Sequence, residues 1–195
     1  MSVANDQSLD VMFLNARTHN GWLDKPVDDA LLQNAYDLAK WGPTSANCCP
    51  LRVVFVRSPE AKEKLKPCMD KGNLEKTMAA PATAIFGYDM EFYKKMDKLW
   101  PHGGGKMFES MPEAALQTIA LRNGSLQAAY MMLTLRAVGL DCGPMSGFNN
   151  AKVDEAFFAG TKIKSNFLCN IGYGDAAKLY PRGPRLEFSE TCKIE

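Results

Sequence analysis

The sequence predicts one domain that mixes helices with strands, and three observations lead there. Apolar residues recur at helical spacing near the N-terminus, runs rich in β-branched and aromatic residues follow, and no repeat or low-complexity linker divides the 195 residues. A chain of this length buries one sizeable core and is short for two, so residues 1–195 are read as a single domain.

Taken in order, Leu9, Met12, Phe13 and Ala16 mark one face of a short helix, with Arg17 at its exit. A second helix is expected over residues 27–41. Asp28 stands near its start, Leu31, Leu32, Ala35, Leu38 and Ala39 form its buried face, and Gly42 and Pro43 end it. Residues 51–57, 82–88 and 167–173 carry strand composition, while 60–71 and 91–99 read as helical. Residues 101–105, with His102 and three consecutive glycines, read as a mobile loop. No Gly-Lys-Ser or Gly-Lys-Thr follows, which argues against a P-loop. Residues 117–138 are apolar around most of a helical circumference, so that helix must be buried in the core or against another subunit.

Composition narrows the function. Lys plus Arg is 23 against 22 for Asp plus Glu, so no basic excess exists to neutralise nucleic acid or an anionic membrane. Any bound anion must be held by a few local cations. The first ten residues lack a basic stretch followed by an apolar run, and no segment reaches the roughly 18 apolar residues of a membrane span. A cytoplasmic protein is expected. The six cysteines show no Cys-x-x-Cys spacing and no nearby His pair, so they are read as reduced thiols and no metal site is assigned. The adjacent Cys48 and Cys49 are read as small buried hydrophobes rather than a redox pair.

Three separated stretches carry chemistry. Ala16-Arg17-Thr18-His19-Asn20-Gly21-Trp22-Leu23-Asp24-Lys25-Pro26-Val27 offers a guanidinium, whose planar fork suits phosphate oxygens. Trp41-Gly42-Pro43-Thr44-Ser45-Ala46-Asn47-Cys48-Cys49-Pro50 is by residue type an ordinary turn from helix to strand. The third is Gly139-Leu140-Asp141-Cys142-Gly143-Pro144-Met145-Ser146-Gly147-Phe148, with Gly172-Tyr173-Gly174 and Arg182-Gly183-Pro184-Arg185-Leu186 beyond it.

Together these stretches resemble the nitroreductase family over residues 9–187. The resemblance implies an α+β sandwich, in which a mixed central sheet is flanked by helices. It also implies a homodimer with two flavin mononucleotide (FMN) sites at the subunit interface. By that likeness Arg17, Thr18 and Asn20 hold the FMN phosphate and ribityl chain, joined by Arg185 and Arg182. Pro43, Thr44, Ser45 and Asn47 reach the flavin of the opposite subunit, and Pro144, Met145, Ser146 and Gly147 lay backbone along the ring. Two positions depart from the family pattern: Asn20 stands where a second basic residue is usual, and Cys49 replaces a glutamine.

The chain is most similar to a subgroup of malonic semialdehyde reductases (3-hydroxypropanoate dehydrogenases) of pyrimidine degradation. NADPH or NADH would then supply hydride to FMN, and the reduced flavin would pass it to a small-molecule acceptor. Broad reduction of nitroaromatics or quinones is the alternative activity, and a non-catalytic flavin-binding protein the alternative of another class. No proton donor is assigned. His19 falls at a variable position of the motif and is read first as a structural hydrogen-bonding residue, with catalysis second. His102 is read first as a surface histidine and second as part of a closing loop.

Overall fold

The computed structural model describes residues 3–101, 103 and 105–195; His102 and Gly104, and with them the character of the 101–105 loop, lie outside the described residues. The chain begins with α1 (Asp6–Leu9), which widens into a π turn over Asp10–Leu14. This differs from the helix expected over 9–16. Leu9 and Phe13, on its supposed buried face, are exposed in the single chain. Helix α2 (Asp29–Ala39) starts where Asp28 accepts a hydrogen bond from the Ala30 amide, and it buries Leu32, Ala35 and Ala39.

Strand β1 (Leu51–Val56) leads to α3 (Pro59–Leu65) and α4 (Lys71–Ala79), followed by β2 (Ala82–Asp89). The single helix expected over 60–71 is broken because Pro67 cannot continue an α-helix; a 3-10 turn at Lys66–Cys68 replaces it. A 3-10 turn at Phe92–Lys95, then α5 (Met96–Leu99) and α6 (Gly105–Glu109), precede α7 (Glu113–Ala137). The chain continues through β3 (Asp141–Met145), α8 (Asn150–Phe158), β4 (Ile163–Gly172) and a terminal α9 (Phe188–Thr191).

The four strands form one sheet in the order β1-β2-β4-β3, antiparallel at each pairing. The parallel component of the expected mixed sheet is confined to a single bridge, Thr18 to Cys142, on the outer side of β3. Strand β3 falls in a stretch that the sequence reading did not mark as a strand. Pro144 obscured it, yet proline is tolerated there because β3 pairs with β4 alone and leaves its other edge nearly free.

Strand β2 is buried from Ala82 to Tyr88 because helices cover both faces. Ala82, Ala84 and Phe86 pack with α2 and α7, through Leu32, Ala35, Ala128, Met131 and Leu135. Ile85, on the alternate face, packs with Leu65 of α3 and Val153 and Phe158 of α8. Helix α7 buries Ala120, Asn123, Gly124, Gln127, Ala128, Met131 and Leu135, a stripe at three- and four-residue spacing. Its apolar circumference is therefore only half covered: Leu121, Leu126 and Tyr130 face outward. Among the described residues no helix is long and apolar enough to cross a membrane.

Candidate cofactor site

The N-terminal motif is held against the sheet edge by backbone pairing. Thr18 bridges Cys142, the His19 amide donates to the Cys142 carbonyl at 3.0 Å, and Trp22 bridges Gly174. Arg17 donates to the carbonyl of Tyr180, so the closing segment of the chain lies beside the motif. Arg182 returns the contact, donating to Leu14 O at 2.6 Å and Ala16 O at 3.1 Å. Arg185 donates to the Gly183 and Pro184 carbonyls.

These contacts enclose a cavity of about 380 Å³ lined by Arg17, Thr18, Asn20, Arg136, Arg182 and Arg185 among others, with no carboxylate residue in its wall. Among the described residues none of the four guanidiniums forms an ion pair. Four cations facing one recess without a counter-charge make an anion site. Two residues 168 positions apart, Arg17 and Arg185, thus meet at the same recess.

Arg136 was not singled out from sequence. A basic residue in the last turn of a helix ordinarily complements the helix dipole, and that bland role hid it. Its Nε is buried without a hydrogen-bond partner among the described residues, and Nη1 reaches Met12 O only at 3.4 Å.

A second cavity, of about 690 Å³, shares Asn20 and Tyr180 with the first and is also lined by Trp22, Glu75, Lys76 and Lys178. Lys76, from α4, donates to Asn20 Oδ1 at 3.1 Å. Burial pushes its ammonium below the ordinary lysine value. No pattern in the sequence marked Lys76, because only the fold brings α4 to the motif.

The other expected site residues sit elsewhere in the chain. Pro43, Thr44, Ser45 and Asn47 line neither cavity. Their loop is pinned on α7, where Asn123 accepts from the Ser45 amide at 2.8 Å and Gln127 accepts from the Leu51 amide at 2.9 Å. Ala46, Asn47 and Cys49 hold φ of 52°, 52° and 40°. Left-handed backbone costs a non-glycine residue about 1–2 kcal/mol and persists only where its surroundings over-determine it. Cys48 in the same loop is buried, and desolvation first, then the neighbouring Cys49, pushes its thiol up to about 11. That keeps it protonated and unreactive at neutral pH.

Pro144, Met145, Ser146 and Gly147 also line neither cavity. The Met145 side chain is buried, with its sulfur accepting from Thr77 Oγ1, so only its backbone is available to a ligand. Gly147 packs under Asn73, which donates to its carbonyl at 2.9 Å. His19 is buried, lines neither cavity, and stands 3.3 Å from an Asp141 carboxylate oxygen.

The model of one known family, described as the nitroreductase family, matches residues 15–173. The chain belongs to the nitroreductase family. The match takes in Arg17, the strained loop and β3 but stops short of Arg182 and Arg185. A Stenotrophomonas maltophilia relative is 59% identical over 195 residues, and one from Burkholderia lata is 57% identical, each covering 100% of both chains. Both carry the provisional name NADH dehydrogenase/NAD(P)H nitroreductase.

Among solved structures, a provisionally described nitroreductase from Bacillus subtilis superposes with TM-score 0.88 at 20% identity, covering 98% of this nitroreductase-family chain and 100% of that one. One from Exiguobacterium sibiricum, solved in complex with FMN, gives 0.85 at 20% identity over 100% and 99% of the two chains. At such identity they establish the fold.

Proposed function

We propose that this nitroreductase-family chain is an FMN-dependent NAD(P)H oxidoreductase whose acceptor is malonic semialdehyde, reduced to 3-hydroxypropanoate. The observation that carries the flavin reading is the wall of four guanidiniums, without a carboxylate, that opens beside a larger cavity. A phosphate dianion satisfies that wall, and the unpartnered Nε of Arg136 is a donor still wanting an acceptor. The donor set therefore fits the phosphate end of FMN.

In this reading Arg17, Arg136, Arg182 and Arg185 hold the phosphate and Thr18 donates to it. Asn20 and Lys76 border the space for the flavin ring, where a cation favours negative charge developing on the ring. FMN, when bound, supplies hydride transfer between a nicotinamide and an acceptor. The chain orients both partners over the ring and excludes water from it.

The exposed apolar residues of α7 support a homodimer, and so does the strained 43–50 loop, which lines neither cavity of its own chain. The six cysteines are all free thiols, in keeping with a reducing cytoplasmic setting. The semialdehyde reading rests on the likeness of Ala16-Arg17-Thr18-His19-Asn20-Gly21, Trp41-Gly42-Pro43-Thr44-Ser45-Ala46-Asn47 and Tyr180-Pro181-Arg182-Gly183-Pro184-Arg185 to that subgroup. Broad reduction of nitroaromatics or quinones is the second reading, favoured by the names of the two relatives.

The test is anaerobic spectroscopy of the purified protein with added FMN. The bound flavin is expected to bleach with NADPH or NADH and to regain colour with malonic semialdehyde faster than with a nitroaromatic or a quinone. Faster recovery with the latter two selects the second reading. A protein that bleaches but returns electrons to no acceptor is a flavin-binding module, and one that FMN neither colours nor stabilises defeats the proposal.

A further inference from the structure

His19 is buried among neighbours that face a cavity. Arg17, Thr18 and Asn20 line the four-arginine recess, whereas His19 is 7% exposed and turns inward. Its Nε2 stands 3.3 Å from Asp141 Oδ1, and the other oxygen of that carboxylate accepts the Gly174 amide at 2.9 Å. One carboxylate thus ties three places together: the motif, the first residue of β3, and the turn beyond β4.

Gly174 makes room for the ring, and Gly143 for the backbone of the same residue. A methyl group at Gly174 would come within 1.9 Å of His19 Nδ1, and one at Gly143 within 2.5 Å of the His19 carbonyl. Nδ1 itself is buried with no hydrogen-bond partner among the described residues. Nε2 is the ring nitrogen turned toward the carboxylate, while Nδ1 abuts Gly174. An unpaired buried atom is a cost, so the ring is held there for a reason other than satisfying its polar atoms.

The two halves of the motif are secured differently. Beyond His19, Trp22 bridges Gly174, its indole donates to Lys76 O at 3.2 Å, and the Leu23 amide donates to Tyr173 O at 2.8 Å. Before His19, Thr18 has its bridge to Cys142, Arg17 leans on Tyr180 O in the closing segment, and Leu14 O and Ala16 O accept from Arg182, itself a wall residue of the recess. Between Arg17 and Asn20, among the described residues, the side-chain contact to the sheet is that of His19 with Asp141.

We infer that His19 is a positioning residue: wedged between Asp141 and Gly174, it aims Arg17 and Thr18 into the anion cavity and so sets affinity for the phosphate end of the flavin. The inference rests on the FMN reading above. It predicts that loss of the anchor discriminates between FMN and riboflavin, which share a ring but differ by the phosphate.

Flavin-fluorescence quenching with both ligands tests it on the wild-type protein and on His19→Ala, His19→Gln and Asp141→Ala. His19→Ala and Asp141→Ala are expected to raise the Kd for FMN about tenfold while moving that for riboflavin by less than about twofold. His19→Gln, whose amide nitrogen can take the place of Nε2 beside Asp141, is expected to recover most of the FMN affinity. Equal loss of both flavins in His19→Ala, with the fold intact by circular dichroism, would reduce His19 to general packing and overturn the inference. FMN affinity unchanged in Asp141→Ala overturns it as well. If His19→Ala fails to fold, His19→Gln and Asp141→Ala carry the comparison. A wild-type protein that binds neither flavin instead removes the FMN reading, and this inference with it.

Discussion

The ammonium of Lys76 donates to the side-chain oxygen of Asn20 at 3.1 Å, so a cation from α4 stands where the N-terminal motif itself carries a neutral amide. The cation and the amide it meets are 56 residues apart in the chain. Lys76→Met is expected to weaken FMN binding by roughly fivefold, the worth of about 1 kcal/mol, while Lys76→Arg keeps most of it. Quenching titrations of the two variants check this.

The arginine recess makes a sharper demand. Arg185→Ala and Arg136→Ala are each expected to raise the Kd for FMN by about tenfold or more, since a hydrogen bond to a charged group contributes roughly 1.5–3 kcal/mol. The double variant should lose less than the sum of the two, because both donors act on one phosphate. Riboflavin affinity should stay near wild type in all three. A matching loss of riboflavin would place Arg136 in the support of the fold rather than in the recess.

Helix α7 offers a test of assembly. Leu126 is 47% exposed and lies on the outward face with Leu121 and Tyr130. A charge there has little effect on the single chain but is costly inside an apolar interface. Leu126→Arg is expected to shift the sedimenting species from twice the chain mass to the single 21.5 kDa chain and to weaken FMN binding with it. A variant that remains dimeric with FMN bound would move the interface to another face.

Lys62 allows a stability prediction independent of cofactor. Its buried ammonium donates to Thr77 O at 2.7 Å, Ala80 O at 2.8 Å and Thr83 Oγ1 at 3.2 Å, tying α3 to the end of α4 and to β2. Lys62→Ala leaves these acceptors unpaired and is expected to cost on the order of 3 kcal/mol.

Burial lowers the Lys62 group to about 8 from 10.5. Between those values the unfolded chain binds more protons than the folded one, so the contribution of Lys62 to stability rises with pH across that window. Thermal melts of wild type and Lys62→Met should therefore diverge in favour of wild type as pH is raised from 7 to about 10. Parallel curves would show that the carbonyl acceptors hold the proton on Lys62 in the folded state throughout.

Much of the fold was legible from local pattern. Residues 51–57 and 82–88 announced β1 and β2 because both are rich in β-branched and aromatic residues, a local preference that needs no distant neighbour. Asp28 marked the start of α2 because its cap is a local interaction. Strand β3 was missed because its glycine and proline are turn residues by composition, and only an edge position makes them acceptable. The outward half of α7 was also beyond sequence, since an apolar circumference does not say which side the same chain covers.

The sequence by itself determined which residue types were available for the site: the Arg17 motif, the 43–50 turn and the closing pair Arg182 and Arg185. It did so because each is a contiguous stretch whose chemistry is readable without neighbours. Tertiary structure alone decided that Arg136 and Lys76 join them, that His19 faces Asp141 rather than a ligand, and that the 43–50 loop stays away from its own chain's recess. Those facts depend on distance through space between α4, α7 and the sheet edge, and separation along the chain carries no information about that distance.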